Sequence, residues 1–103
     1  MSAARRIGVF GGAFDPPHNG HVALARAALA QLRLDELRIF PTGQAWHKAR
    51  ALSAGERRID MARLAFADVP RVVVDPREVH RQGPTYTIDT LRALRQECRD
   101  ARL

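Results

Sequence analysis

Three short apolar runs, "RIGVF" at residues 6–10, "ELRIF" at 36–40 and "RVVVD" at 71–75, are each followed by a stretch of helical periodicity. This alternation restricts the fold more than any other feature of the chain. Strands separated by helices pair in parallel through right-handed crossovers and build an α/β layer. The first helix is expected from about Asn19, with Val22, Ala25, Leu29 and Leu32 on one face. Pro41 suits the end of the second strand. "SAGE" (Ser53 to Glu56) is a capping box with Ser53 at the N-cap, opening a helix to about Phe66 that buries Ile59, Ala62 and Phe66. The third strand is apolar through its middle, as expected when both faces are covered. Residues 75–86 read as a loop marked by Pro76, Gly83 and Pro84. A last helix from about Thr87 is expected to turn Ile88, Leu91, Ala93 or Leu94, and Cys98 inward, with Asp89 and Thr90 helping to start it.

A chain of 103 residues holds one domain, spanning 1–103. The expected class is α/β, a Rossmann-like doubly wound parallel sheet of which three strand–helix units form the first half. In the order 3-2-1-4-5-6 those units leave the first strand at an edge, and "IGVF" is too apolar for an exposed one. A further copy of the chain, or a missing C-terminal half, is expected to cover it.

The net charge of +6 invites a nucleic-acid reading, but the arginines are scattered and many stand beside an acid, as in "LDELR" and "RQECRD". Without a basic run or interleaved aromatics, no nucleic-acid partner is expected. The apolar runs are too short to cross a bilayer, and Arg5–Arg6 precede too short an apolar stretch for a secretory leader. One cysteine, Cys98, fits a reducing, cytoplasmic setting and a buried apolar role.

"GGAFDPPHNGH" (Gly11 to His21) is the stretch that looks like a site. Glycines after a strand let backbone N–H groups approach an anion, and the helix after Asn19 adds its own free N–H groups. His18 and His21 lie close enough for both rings to meet one ligand. From the residues alone, a tight turn, a pair of metal ligands and a capping histidine stay open beside an anion site. Neither GxGxxG nor GxxxxGK is present. Lys48 is the single lysine among seventeen basic residues, in a loop with Trp46 and His47, where a compact mobile charge differs from arginine.

The loop is similar to the signature of the HxGH nucleotidyltransferase superfamily and, in its full form, resembles that of bacterial nicotinate-nucleotide adenylyltransferases. "WHKARALSAGERRIDMARLAF" resembles the family's HK loop and following helix, and "GPTYTIDTLRALR" its SYTxDTL segment, with Thr85 where Ser is usual. The resemblance implies adenylyl transfer from ATP to nicotinate mononucleotide, giving nicotinate adenine dinucleotide and pyrophosphate, with Mg²⁺ accompanying ATP. It implies that His18, His21 and Lys48 act on the phosphates, that Gly11, Gly12, Ala13 and Phe14 line the nucleotide site through backbone, and that Thr85 and Tyr86 hold the nicotinate end. No metal bound by the protein itself is implied. Trp46 stands where the family often has Pro, and the family's later SSTxxR-like segment has no match in these residues. The resemblance therefore implies an N-terminal half, inactive or weakly active alone. Two alternatives remain at this point: a non-catalytic nucleotide-binding half that needs a partner chain, or a related transferase with another acceptor such as phosphopantetheine.

Overall fold

In the computed structural model, which describes residues 5–43, 54–81 and 87–103, the strands β1 (Ile7–Gly12), β2 (Glu36–Pro41) and β3 (Val72–Val74) form one parallel sheet in the order β1-β2-β3. The helices are α1 (Asn19–Gln31), α2 (Gly55–Ala65), a short α3 (Arg77–His80) and α4 (Thr87–Glu97). This is the expected α/β, Rossmann-like arrangement, and β2 is the central strand, paired with Ile7–Gly12 on one side and Val72–Val74 on the other.

Ala- and Leu-rich composition favours α1 intrinsically. The helix closes where the Leu32 N–H bonds the Ala28 carbonyl at 3.0 Å and Arg33 turns left-handed (φ 52°). Ala25 and Leu29 of α1 and Ala62 of α2, with Phe66 just beyond it, pack with Leu37 and Ile39 of β2 into one buried cluster. Both crossovers therefore cover the same face of the sheet, as right-handed connections running in one direction must.

The other face is held by charge. Side chains alternate along β2, so Glu36, Arg38 and Phe40 share this face. Arg38 pairs with Glu36 at 2.5 Å and with Asp75, just past β3, at 3.2 Å. Arg77 bonds Asp75 at 2.9 Å and Glu97 of α4 at 2.7 Å, and its guanidinium lies 5.8 Å from the centre of the Phe40 ring. Burial alone would raise the Asp75 pKa, but the bonds and charge of Arg77, with Arg38, hold it below the usual carboxylate range. Glu97 is likewise lowered, chiefly by its bond to Arg77.

Several expectations are corrected. The first strand runs two residues further, through Gly11 and Gly12. The second helix starts at Gly55 with Ala54 as N-cap and no side-chain cap, while Ser53 lies outside the described residues. Residues 75–86 are not all loop, because Arg77–His80 form α3. Val73 is 42% exposed, so the third strand is not covered on both faces, and it is the last strand of the described sheet on that side. Leu32 and Ile88 are exposed, at 58% and 53%, and Cys98 is only half-buried. Leu94 is the fully buried residue of α4, and Thr90, also fully buried, donates from Oγ1 to Glu78 at 2.6 Å as a tertiary tie. Among the described residues no helix is long and apolar enough to cross a membrane.

Along β1 the outer edge begins to be used. The Ile7 N–H bonds the Arg102 carbonyl at 2.7 Å and the Arg102 N–H bonds the Arg5 carbonyl at 2.6 Å, a parallel bridge. The chain thus returns from α4 to the far side of β1, and the sheet order reverses there.

The network predicts unequal effects of two arginine deletions. Arg77→Ala removes the side-chain bonds to Asp75 and Glu97, leaving Asp75 to Arg38 and Glu97 to solvent, and should destabilise by about 1–2 kcal/mol in urea unfolding. Arg5→Ala removes an ion pair to Glu36 whose arginine is 60% exposed, and should stay within about 0.5 kcal/mol. The carboxylate part of this stability is present at neutral pH and is lost as pH falls through the lowered pKa values of Asp75 and Glu97. Equal losses for the two variants would contradict this account of the second face.

Candidate functional site

Gly11 and Gly12 sit opposite Phe40 and Pro41 in the ladder, and the Thr42 N–H continues the pairing to the Gly12 carbonyl at 2.9 Å. The loop proper is therefore Ala13 to His18. Its turning point is Phe14, at φ 50°, a left-handed value that is uncommon for a bulky residue. Packing compensates for that strain. The Phe14 ring is 2% exposed and stands edge-on to Phe10 at 5.3 Å and to Phe66 at 6.0 Å. A Cβ at residue 12 would lie 3.3 Å from this ring, so glycine lets the aromatic fold back over the strand end. The Asp15–Pro16 peptide is cis.

His18 is the N-cap of α1 in extended backbone. Its Nδ1 accepts the Gly20 N–H at 3.1 Å, while the Nδ1 of His21 accepts the His18 N–H at 3.0 Å. This is a capping box built from two imidazoles in place of the usual hydroxyl and carboxylate or carboxamide. The rings stack, with centroids 3.8 Å apart and planes 25° apart. A Cβ on Gly20 would come within 2.8 Å of His18 Cε1, so glycine at this position clears room for the stacked ring.

The caps decide the chemistry. A neutral imidazole that accepts at Nδ1 carries its proton on Nε2. Each ring therefore has an Nε2–H donor, beside the positive dipole end of α1. Such a set suits an anion's oxygens. It does not suit a cation, since no ring nitrogen is left with an open lone pair. His21 has its pKa lowered, first by burial and then by the neighbouring His18, which favours the neutral donor form. Its ring also stands edge-on to Phe14 at 4.9 Å, so the core fixes its orientation.

The location agrees with the chemistry. The loop leaves the C-terminal end of β1, the strand beside which the order turns back, since Arg102 pairs along its outer side. Open α/β sheets bind ligands at such a point.

Of the residues singled out by sequence, the structure brings together Gly12, Ala13, Phe14, His18 and His21, with Gly11 adjacent in β1. Lys48, Trp46 and His47, like Thr85 and Tyr86, lie outside the described residues. His80 pairs with Glu56 at 2.5 Å on the surface. Sequence reading missed Arg58. It is 3% exposed and donates from Nη1 to the carbonyls of Thr42 at 2.7 Å and Ala13 at 3.2 Å, beneath the loop. The signal was available: Arg58 falls on the 58–62–66 stripe with Ala62 and Phe66.

Protonation of the His21 Nδ1 breaks the capping box, which yields a pH prediction. The folded His21 resists a proton that the unfolded chain accepts near the ordinary imidazole value of about 6.5. Stability should therefore fall as pH drops from about 7 towards 5. His21→Asn keeps an acceptor without titrating, and should flatten this part of the melting-temperature profile. An unchanged slope in that variant would contradict the capping role.

Residues 9–99 match the cytidylyltransferase-like family. A probable nicotinate-nucleotide adenylyltransferase of Albidiferax ferrireducens is 68% identical over 88 residues, which are 85% of this chain and 44% of that protein. One from Chromobacterium violaceum is 50% identical over 97 residues, covering 93% of this chain and 46% of its own length. One from Mycolicibacterium vanbaalenii is 49% identical over 100 residues, or 96% and 47% of the two chains. The chain spans about half the length of the curated relatives it matches. With the parallel sheet and the anion-directed loop at its switch point, the match over residues 9–99 establishes that this chain belongs to the cytidylyltransferase-like family.

Proposed function

We propose that this chain is the N-terminal, nucleotide-binding portion of an adenylyltransferase that moves AMP from ATP to nicotinate mononucleotide, releasing pyrophosphate, as a cytoplasmic step of NAD biosynthesis. The observation that carries this reading is the pair of imidazoles at the head of α1 whose Nδ1 atoms each accept a backbone N–H, which leaves Nε2–H as the outward donor. The names of the relatives supply the reaction and the acceptor.

The chemistry asks little of the protein beyond alignment and charge. A phosphate oxygen of nicotinate mononucleotide, already ionised at neutral pH, attacks the α-phosphorus of ATP in line. The bond from that phosphorus to the bridging oxygen breaks, and pyrophosphate leaves with the electron pair. No base and no covalent intermediate is needed. His18 and His21 donate to the phosphate oxygens and stabilise the charge growing on the leaving group. Gly11, Gly12, Ala13 and Phe14 face the nucleotide through backbone, which suits Phe14, whose ring is committed to the core. Lys48 adds mobile positive charge, and Thr85 with Tyr86 hold the nicotinate end. ATP enters as its magnesium complex, a substrate whose ion is carried on phosphate oxygens.

The remainder of the site belongs, in this reading, to polypeptide equivalent to the second half of the relatives. It joins the sheet along the outer edge of β1, where Arg102 already pairs. A groove of about 620 Å³ runs along that edge, with Leu24 of α1, Leu32 just past its end and Leu103 exposed beside it. Apolar side chains of this size on an unfinished sheet edge are covered in stable proteins.

The intact gene product is tested for pyrophosphate release from ATP with nicotinate mononucleotide, its amide and phosphopantetheine. Turnover is expected with the nicotinate nucleotide, and His21→Ala should lower kcat by about a hundredfold. Turnover with phosphopantetheine alone, or an active His21→Ala variant, would overturn the assignment.

A further inference from the structure

We infer that Arg58 is a positioning residue for this site: its guanidinium sets the peptide plane before Phe14, and through the Phe14 ring the orientation of the His18–His21 pair. The inference rests on the adenylyl-transfer reading only for its kinetic arm.

A fully buried guanidinium is costly unless its hydrogens are used. Arg58 lies on the inward face of α2, 3% exposed, one residue before the core residue Ile59. Its Nη1 reaches two backbone carbonyls, Thr42 at 2.7 Å and Ala13 at 3.2 Å. These carbonyls stand just beyond the ends of β2 and β1. The ladder's last bond, from the Thr42 N–H to the Gly12 carbonyl, lies immediately before them. One cation therefore ties together two chain segments where sheet pairing stops and can no longer hold them. The charge of Asp15, in the same loop, also acts on Arg58 and opposes the effect of burial on its pKa.

The Ala13 carbonyl belongs to the peptide that leads into Phe14, the residue with φ 50°. An uncommon backbone conformation persists only when its surroundings over-determine it. Here the ring is locked on one side, between Phe10 and Phe66, and the preceding peptide is locked on the other by Arg58. The same ring stands 4.9 Å from that of His21, which stacks at 3.8 Å on His18. Release of the Ala13 carbonyl lets the turn relax, and the displacement passes directly to both imidazoles. Donors aimed at developing charge lose rate steeply when they are misplaced, and ground-state affinity suffers less.

The test compares Arg58→Met and Arg58→Lys with the parent in the intact gene product. The folded fraction is measured by circular dichroism, kcat and KM with magnesium-ATP and nicotinate mononucleotide, and the His18 amide by hydrogen exchange. Arg58→Met is expected to lower kcat per folded molecule by about 10–100-fold. KM for nicotinate mononucleotide should stay within about threefold, and the His18 amide should exchange faster. Arg58→Lys, which keeps the charge with a shorter reach, should fall between the two. A purely structural arginine would lower the folded fraction and leave kcat per folded molecule and the amide unchanged, and that result overturns the inference while sparing the adenylyl-transfer reading. If Arg58→Met does not fold, the same two readouts on Arg58→Lys decide. If the parent shows no turnover, the functional reading fails, and the His18 amide alone decides whether Arg58 positions the loop.

Discussion

The parallel pairing of β1 with β2, in register to Gly12 opposite Pro41, is the constraint on which the rest of the structure depends. Parallel neighbours cannot be joined by a hairpin, so the chain must cross back over the sheet. α1 makes that crossing, and its N-terminus therefore stands at the end of the sheet where β1 stops. The pairing also decides how short the connecting loop is. Since the glycines belong to the ladder, only Ala13 to His18 remain to turn the chain into the helix.

This shortness explains the residues that fill the turn. Phe14 reverses the backbone at a left-handed angle and anchors it in the core. Proline at 16 and 17 limits the alternatives of the unfolded loop. The histidines then serve twice. Each Nδ1 satisfies a backbone N–H of the helix entrance, and that same bond fixes the proton on Nε2, on the side away from the backbone. Folding and chemistry use opposite edges of one ring. Gly20 follows from this, since a side chain there would take the space of the His18 imidazole.

Much of this was legible in the sequence. The strand–helix alternation gave the parallel layer because apolar runs of strand length between helical stretches admit few other folds, and the start of α1 at Asn19 was read correctly. What escaped has physical causes. Gly11 and Gly12 looked like turn residues, yet strand membership is decided by the partner, and β2 offers ladder positions up to Pro41. Leu32 satisfies the helical period but faces outward, because the described sheet ends at β1 and leaves that flank of α1 nothing to pack against. Val73 is exposed for the matching reason at the opposite edge. The charged second face was not read from the sequence, although "ELRIF" carries an arginine at its centre. Arg38 is tolerated there because two carboxylates meet it, one of them from beyond β3, and no local pattern shows such a pairing. Arg58 sat on a visible buried stripe but was hidden by its charge, since a charged side chain is ordinarily read as solvated.

The central claim is that the capping box holds both imidazoles as Nε2–H donors for a phosphate. Long-range proton–nitrogen NMR correlations of the histidine rings, at neutral pH with and without magnesium-ATP, test it directly. The account predicts the Nε2–H tautomer for His18 and His21 in the free protein, with ATP shifting the Nε2 signals of both rings and leaving Nδ1 as an acceptor. Protons on Nδ1, or ring signals unmoved by saturating ATP, would contradict it.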